Sequence, residues 1–236
     1  MRIATLINAA YVGYARNWLL SLKKAGIDTE DLTVYCTDDT AVAAMVPYAP
    51  YSRAKRVPGV ASMDEAALPY GSRQWKTFVW TKMELMTHLL QHDEPVLFSD
   101  VDVIFHRDPT PWFNVAGVDL IAQQAVFPGF TIMCDGFYYA FPTDACRRLF
   151  KPSRDEFDRW HNQEELINAR LVTEKVKWFG LPTNLFPDGK FAPVKEDWCC
   201  RSEDRYITHF NAVTSSSQKL QRMIASKCWF LGDAKS

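Results

Sequence analysis

Asp100, Val101 and Asp102 set two carboxylates one residue apart, directly after the apolar run Pro95 to Ser99 and just before Val103-Ile104-Phe105. On a regular strand the two side chains share a side, and at a turn both can reach one cation. A pair of oxygen ligands suits a hard divalent ion, magnesium or manganese. An ion held there and shared with a diphosphate neutralises charge on a departing nucleotide. Asp-x-Asp is common in solvated turns, so the flanking strands carry the argument. Two carboxylates between apolar strands are costly to bury without a counter-ion.

Two other charged residues fall where charge is expensive. The apolar residues Trp75, Phe78, Val79, Met86 and Leu89 recur at helical spacing between Arg73 and Gln91, and Lys82 points the same way as Trp75 and Phe78. Its amine either snorkels out or meets an anion. Between Asp155 and Leu171, read as one helix, Phe157, Trp160, Ile167 and Leu171 mark an inward stripe that takes in Glu164, while Glu165 turns about 100° away. An inward carboxylate is either functional or paired with a base such as Arg159.

The elements that must position these groups read as α/β. Arg2 to Ile7 is a strand, Tyr14 to Ala25 a helix ended by Gly26, and Leu32 to Cys36 a second strand, giving a β-α-β opening. Pro47, Pro50, Pro58 and Gly59 punctuate the stretch up to Tyr70, where we expect a mobile, partly ordered loop of the kind that covers a ligand. Strands follow at Pro95 to Ser99, Asp119 to Ala122, Gly136 to Phe141 and Tyr206 to Phe210, with a helix at Thr143 to Phe150. The carboxylate pair ends the Pro95–Ser99 strand, and open α/β sheets gather ligands at strand C-termini.

A chain of 236 residues fits one domain, residues 1–236. A formal net charge of −1 gives no basic surplus for a nucleic-acid partner. The six cysteines show no metal-ligand spacing, and reduced thiols in a cytoplasmic setting are expected. Neither a signal peptide nor a membrane span is expected, because no run of about 20 apolar residues occurs.

Taken in order, these residues resemble the nucleotide-diphospho-sugar transferases of the GT-A fold, in particular the small plant and viral sugar transferases. The resemblance rests on the opening strand with Thr5, Asn8 and Tyr11, on Lys82, on Leu97-Phe98-Ser99-Asp100-Val101-Asp102, and on Thr208-His209-Phe210-Asn211. It implies a Rossmann-like mixed central sheet flanked by helices, with a nucleotide-binding half over about residues 1–105 and a sugar and acceptor half over 106–236. It also implies that Asp102 ligates Mn2+ or Mg2+, that Asp100 contacts the ribose and reaches the metal with Val101 beside it, and that His209 completes the metal site. Lys82 would meet phosphate or donor sugar. Thr5, Leu6, Asn8 and Tyr11 match the edge that holds base and ribose, although a buried first strand and helix entry explain the same residues.

Two departures from the family pattern fall on the catalytic half. Where the family carries Asn-x-Gly against the donor sugar, this chain has Cys134-Asp135-Gly136-Phe137. Asp135 either accepts hydrogen bonds from sugar hydroxyls, acts as a base, or is a turn residue. Where the family carries Asp-Gln followed by Asn, this chain has Gln163-Glu164 followed by Asn168. Glu164, Asp135 and Gln163 are thus the candidate catalytic residues, with Glu164 a nucleophile or ion-pair stabiliser in a retaining transfer or the general base of an inverting one. The donor implied is a UDP-sugar carrying a hexosyl or pentosyl group, and the acceptor a carbohydrate or glycoprotein hydroxyl. Trp178, Phe179, Phe186, Phe191 and Trp198 either stack on an acceptor or fill core.

Two rivals share the carboxylate pair. Haloacid-dehalogenase phosphatases use Asp-x-Asp at the end of their first core strand, followed by a Gly-Thr turn that is missing here. A sugar-nucleotide-binding protein without turnover would explain the displaced Asp-Gln. A Rossmann dehydrogenase is disfavoured, since no Gly-x-Gly-x-x-Gly follows the first strand.

Overall fold

The computed structural model describes residues 1–48, 53–60, 63, 66, 68–189, 204–213 and 215–232. The opening unit is β1 (Arg2–Ile7), α1 (Val12–Lys24) and β2 (Leu32–Cys36), with β1 and β2 parallel. Gly26, at φ +72, supplies the left-handed residue that ends α1. Along β1, Ile3 and Ile7 enter the core beneath α1, while Ala4 and Leu6 enter the core on the opposite face, as period-2 alternation requires.

The stretch expected as an irregular loop holds more order than its prolines suggested. It contains α2 (Asp39–Met45), capped by the Asp38 carboxylate, and β3 (Arg53–Arg56), which pairs in parallel with β2. Arg-Ala-Lys-Arg is a charged edge strand without an apolar face, so hydrophobic alternation does not reveal it. Pro50 lies outside the described residues.

α3 (Arg73–Leu89) begins at Ser72, whose hydroxyl accepts from the Trp75 N–H at 3.1 Å. It packs above β4 (Val96–Ser99), which is parallel to β1. β5 (Val103–Phe105) then leaves the main sheet, and β6 (Leu120–Phe127) and β7 (Phe130–Ala140) return as a hairpin, β7 antiparallel to β4. After α4 (Asp144–Leu149), the helix expected over Asp155–Leu171 is two, α5 (Arg154–Asp158) and α6 (Gln163–Thr173). Asn162 breaks the run by capping α6, its side chain accepting from the Glu165 N–H at 2.9 Å. Trp160 lies in the break and is 36% exposed, so the stripe drawn through it does not exist. β8 (Trp178–Gly180) and α7 (Ser216–Ala225) were not anticipated, and β9 (Ile207–His209) pairs with β5 in a separate two-stranded sheet.

The main sheet has seven strands in the order β3-β2-β1-β4-β7-β6-β8. From β1 the chain runs outward to β2 and β3 and then crosses back to β4, so the order reverses between β1 and β4. A crevice opens at such a switch point, outside the carboxyl ends of the two strands. Asn8 follows β1 there and Asp100 follows β4. Among the described residues no helix is long and apolar enough to cross a membrane.

β7 bends toward this crevice. Its register with β6 passes from Ala122↔Tyr138 to Gln124↔Met133, so Cys134 to Phe137 swing out opposite Gln123 alone. Asn168 on α6 ties the bend down. Its Oδ1 accepts from the Met133 N–H at 2.8 Å and its Nδ2 donates to the Met133 carbonyl at 2.9 Å and to the Glu164 carbonyl at 2.8 Å. Arg170 fixes the far end of α6, its guanidinium meeting the Leu149 carbonyl at 3.0 Å and the Glu156 carboxylate at 2.7 Å. Asn168→Ala leaves both Met133 backbone groups without these partners, and is expected to lower the unfolding free energy by about 1–3 kcal/mol in urea titrations.

Candidate active site

Asp100 to Val103 form a tight turn, closed by the Val103 N–H on the Asp100 carbonyl at 3.2 Å. The Asp100 N–H donates to the Gly136 carbonyl at 2.7 Å, which sets the first carboxylate against the bent part of β7. Pairing of Val103 with His209, and of the Phe210 N–H with the Asp102 carbonyl at 3.0 Å, brings the histidine beside the second. One ligand atom each from Asp100, Asp102 and His209 lies within 4.8 Å of the other two.

The histidine is held in one tautomer by a residue that sequence reasoning did not single out. Gln123 Nε2 donates to the Phe186 and Pro187 carbonyls at 3.2 and 2.8 Å, so its Oε1 is the atom 2.7 Å from His209 Nδ1. Nδ1 therefore carries the proton and Nε2 presents a lone pair. Among the described residues Nε2 is buried without a hydrogen-bond partner, 3.3 Å from Asp102 Oδ1. A histidine whose other nitrogen donates to an oxygen is the usual form of a metal ligand. The donor set of two carboxylates and a neutral imidazole fits manganese or magnesium.

Space for that cluster depends on Gly136. A Cβ there would sit 2.3 Å from His209 Cε1 and 2.9 Å from Asp100 Oδ2.

Two lysines balance the carboxylates. Lys82, 5% exposed, reaches Asp100 at 3.0 Å and Asp135 at 3.6 Å. Burial works against its charge, but the two carboxylates outweigh burial and hold the amine above its ordinary range. Lys219 on α7 lies 2.6 Å from Asp102 Oδ2. Burial opposes ionisation of Asp102 too, and the Lys219 ammonium more than offsets it, keeping this carboxyl well below the usual range. Burial, then the neighbouring charge of Asp135, pushes Glu164 up to about 7. Its Oε2 accepts from the Asp135 N–H at 3.4 Å.

Two cavities meet at this cluster and share Asp100, Asp102, Asp135 and Lys219 in their walls. The first, ≈190 Å³, is otherwise apolar and aromatic, with Leu6, Tyr11, Leu68, Trp75, Phe78, Val79 and the stem of Lys82, and Val101 lies on its wall. The second, ≈410 Å³, is mixed, with Glu164, Asp188, His209, Asn211 and Tyr70 beside Ala125, Cys134, Ala212 and Val213.

Most of the residues picked from sequence line one cavity or the other. Thr5 and Asn8 do not: both are fully buried behind the first, with Asn8 Nδ2 donating to the Ala66 carbonyl at 2.7 Å. Gln163 lines neither and is 1% exposed. Glu164 faces the second cavity from the first turn of α6, whereas Arg159, the base considered for it, is exposed and forms no ion pair with it. Phe186 is core, stacked on Tyr206 at 5.3 Å, and Trp178 and Phe179 form β8. Phe191 and Trp198 lie outside the described residues. Lys219 was missed because a lone lysine on a polar helix carries no sequence signal.

The family model for nucleotide-diphospho-sugar transferases matches residues 29–223. The chain belongs to this family. No curated protein matches this transferase in sequence. Its fold is that of GT-A glycosyltransferases. The galactosyltransferase LgtC, solved with donor and acceptor sugar analogs, superposes with a TM-score of 0.60 at 14% identity, over 96% of this chain and 95% of that one. Mouse xyloside xylosyltransferase 1 gives 0.57 at 11% identity over 91% and 98%. A glycosyltransferase involved in glycosylation of the major capsid of PBCV-1 gives 0.55 at 9% identity over 96% and 98%. The phosphatase alternative falls, since Asp100 ends β4 and not the first strand of the sheet.

Two outcomes follow from this geometry. Gly136→Ala forces His209 or Asp100 aside, so it is expected to cost about 1–3 kcal/mol in stability, read in thermal or urea melts, while circular dichroism stays native. Glu164 holds its proton more tightly in the folded chain than in the unfolded one. The stability this confers is complete below the ordinary glutamate range and is lost as pH rises through about 7. Glu164→Gln is therefore expected to be more stable than the wild type by about 1–3 kcal/mol at pH 8, with the gap closing by pH 5 in thermal melts.

Proposed function

We propose that the transferase moves a hexosyl or pentosyl group from a UDP-sugar to a hydroxyl of a carbohydrate or glycoprotein acceptor, using Mn2+ or Mg2+ held by Asp100, Asp102 and His209. The observation that carries this reading is the meeting of an aromatic cavity and one richer in polar side chains at a cluster whose buried imidazole nitrogen has no partner among the described residues. A flat base fits between Leu6, Tyr11, Trp75 and Phe78, and the acceptor belongs in the second cavity. UDP is chosen on family resemblance. One similar structure is named a galactosyltransferase and another a xylosyltransferase, a hexose and a pentose, so the donor sugar is left at that level.

The ion, when bound, supplies positive charge that lowers the cost of the departing diphosphate. Lys82 sits between Asp100 and Asp135 and locks both carboxylates in place. Asp135 keeps acceptor oxygens free for the hydroxyls of the donor sugar. Glu164, once ionised, offsets the positive charge that develops at the anomeric carbon, in either stereochemical outcome. Gln163 is buried beside it at the first position of α6, and its side-chain amide has no hydrogen-bond partner among the described residues. A reducing compartment such as the cytoplasm suits Cys36, Cys134 and Cys146, which are buried and unbridged.

Calorimetric titration of UDP with and without manganese tests this reading. Binding is expected to require the metal, and Asp102→Ala to weaken it on the order of 100-fold or more. Metal-independent binding that survives Asp102→Ala would overturn the site, and manganese-dependent binding without transfer to any acceptor would make the chain a binding protein.

A further inference from the structure

Among the described residues Lys219 is the cation nearest Asp102, and its position conflicts with a second one. The ammonium lies 2.6 Å from Asp102 Oδ2, so one oxygen of a carboxylate only 9% exposed is already engaged, and the other faces His209 Nε2 at 3.3 Å. A divalent ion held by Asp100, Asp102 and His209, whose ligand atoms lie within 4.8 Å of one another, would stand within a few ångströms of that ammonium. Like charges at that range repel strongly, since few water molecules fit between them.

The rest of α7 permits the ammonium to leave without moving the helix. The start of α7 is pinned by the Tyr14 hydroxyl donating to the Ser216 carbonyl at 2.6 Å, and Met223 is buried against the core. Lys219 is joined to this anchored backbone only by its flexible four-carbon stem. Its side chain also lines both cavities, so it can turn along the crevice floor toward an incoming anion.

We propose that Lys219 is a resident counter-cation that holds Asp102 in the absence of donor and competes with the divalent ion for it. The lysine and the metal take turns on one carboxylate. A diphosphate entering the crevice gives the displaced ammonium a replacement anion, so nucleotide and metal each strengthen the binding of the other. When the nucleotide departs after transfer, Lys219 returns to Asp102 and helps to expel the ion. This rests on the assignment of Asp100, Asp102 and His209 as metal ligands.

The test is a measurement of metal binding alone, with no turnover. Free Mn2+ is followed by electron paramagnetic resonance for the wild type, Lys219→Met and Lys219→Arg, each with and without UDP. Without nucleotide, Lys219→Met is expected to bind Mn2+ roughly tenfold or more tightly than the wild type, and UDP to raise its Mn2+ affinity much less. Lys219→Arg keeps the charge and is expected to keep the weak, nucleotide-dependent binding. Equal or weaker Mn2+ binding by a natively folded Lys219→Met, with wild-type coupling to UDP, overturns the competition and leaves the metal site standing. Absence of Mn2+ binding by the wild type even with UDP overturns both. Should Lys219→Met fold poorly, Lys219→Gln is put through the same titration, with the same outcomes deciding.

Discussion

Five carboxyl groups, those of Asp100, Asp102, Asp135, Glu164 and Asp188, line one crevice, and the mutual repulsion of the first four, which lie around the cluster, is the constraint around which the molecule is arranged. Ionised and unbalanced in a partly dry cleft, they would drive the elements apart. The fold answers from two sides. Lys82 comes up from α3 between Asp100 and Asp135, its amine also 4.6 Å above the Phe98 ring, and Lys219 comes down from α7 onto Asp102. Glu164 is left with a backbone N–H, and it answers by keeping its proton to about neutral pH.

Holding charges at such distances needs backbone placed to a fraction of an ångström, and the hairpin of β6 and β7 does much of this. The bend over Cys134 to Phe137 delivers Asp135 into the crevice and leaves Gly136 where no side chain is tolerated. The same irregularity frees Gln123 from its ladder partner and aims it at His209. Asn168 then seals the bend to α6, so that Glu164 and Asp135 move together. Bulges near active sites re-aim side chains in this way, and here one bend serves a carboxylate, a glycine and the tautomer of a histidine.

Much of this was readable in the chain and some was not, for reasons that differ by residue. The opening β-α-β unit, the strand before Asp100 and the inward lysine at position 82 follow from periodicity, which tracks buried faces. β3 escaped because an edge strand of arginine, alanine and lysine has no such face. The break at Asn162 escaped because its flanks keep helical spacing while the cap that interrupts them is a single side chain. Glu164 reaches the crevice although the stripe that pointed to it runs through the exposed Trp160, since the first turn of α6 faces β7 on its own account. Gln123 and Lys219 gave no signal, because their importance lies in which distant atoms they meet, and Gly136 was marked only by its place in the Asn-x-Gly match, not by the side chains it makes room for.

The pairing of β5 with β9 has a consequence for how the molecule comes into being. Asp102 and His209 become neighbours only when these strands join, closing a stretch of about 100 residues, and long closures are made late. The β1-α1-β2 unit, β4 and the β6–β7 hairpin need no such closure. A nascent chain that has not yet delivered β9 therefore carries most of its sheet and only two members of the cluster. Such a chain does not assemble the Asp100, Asp102 and His209 cluster before β9 has joined β5.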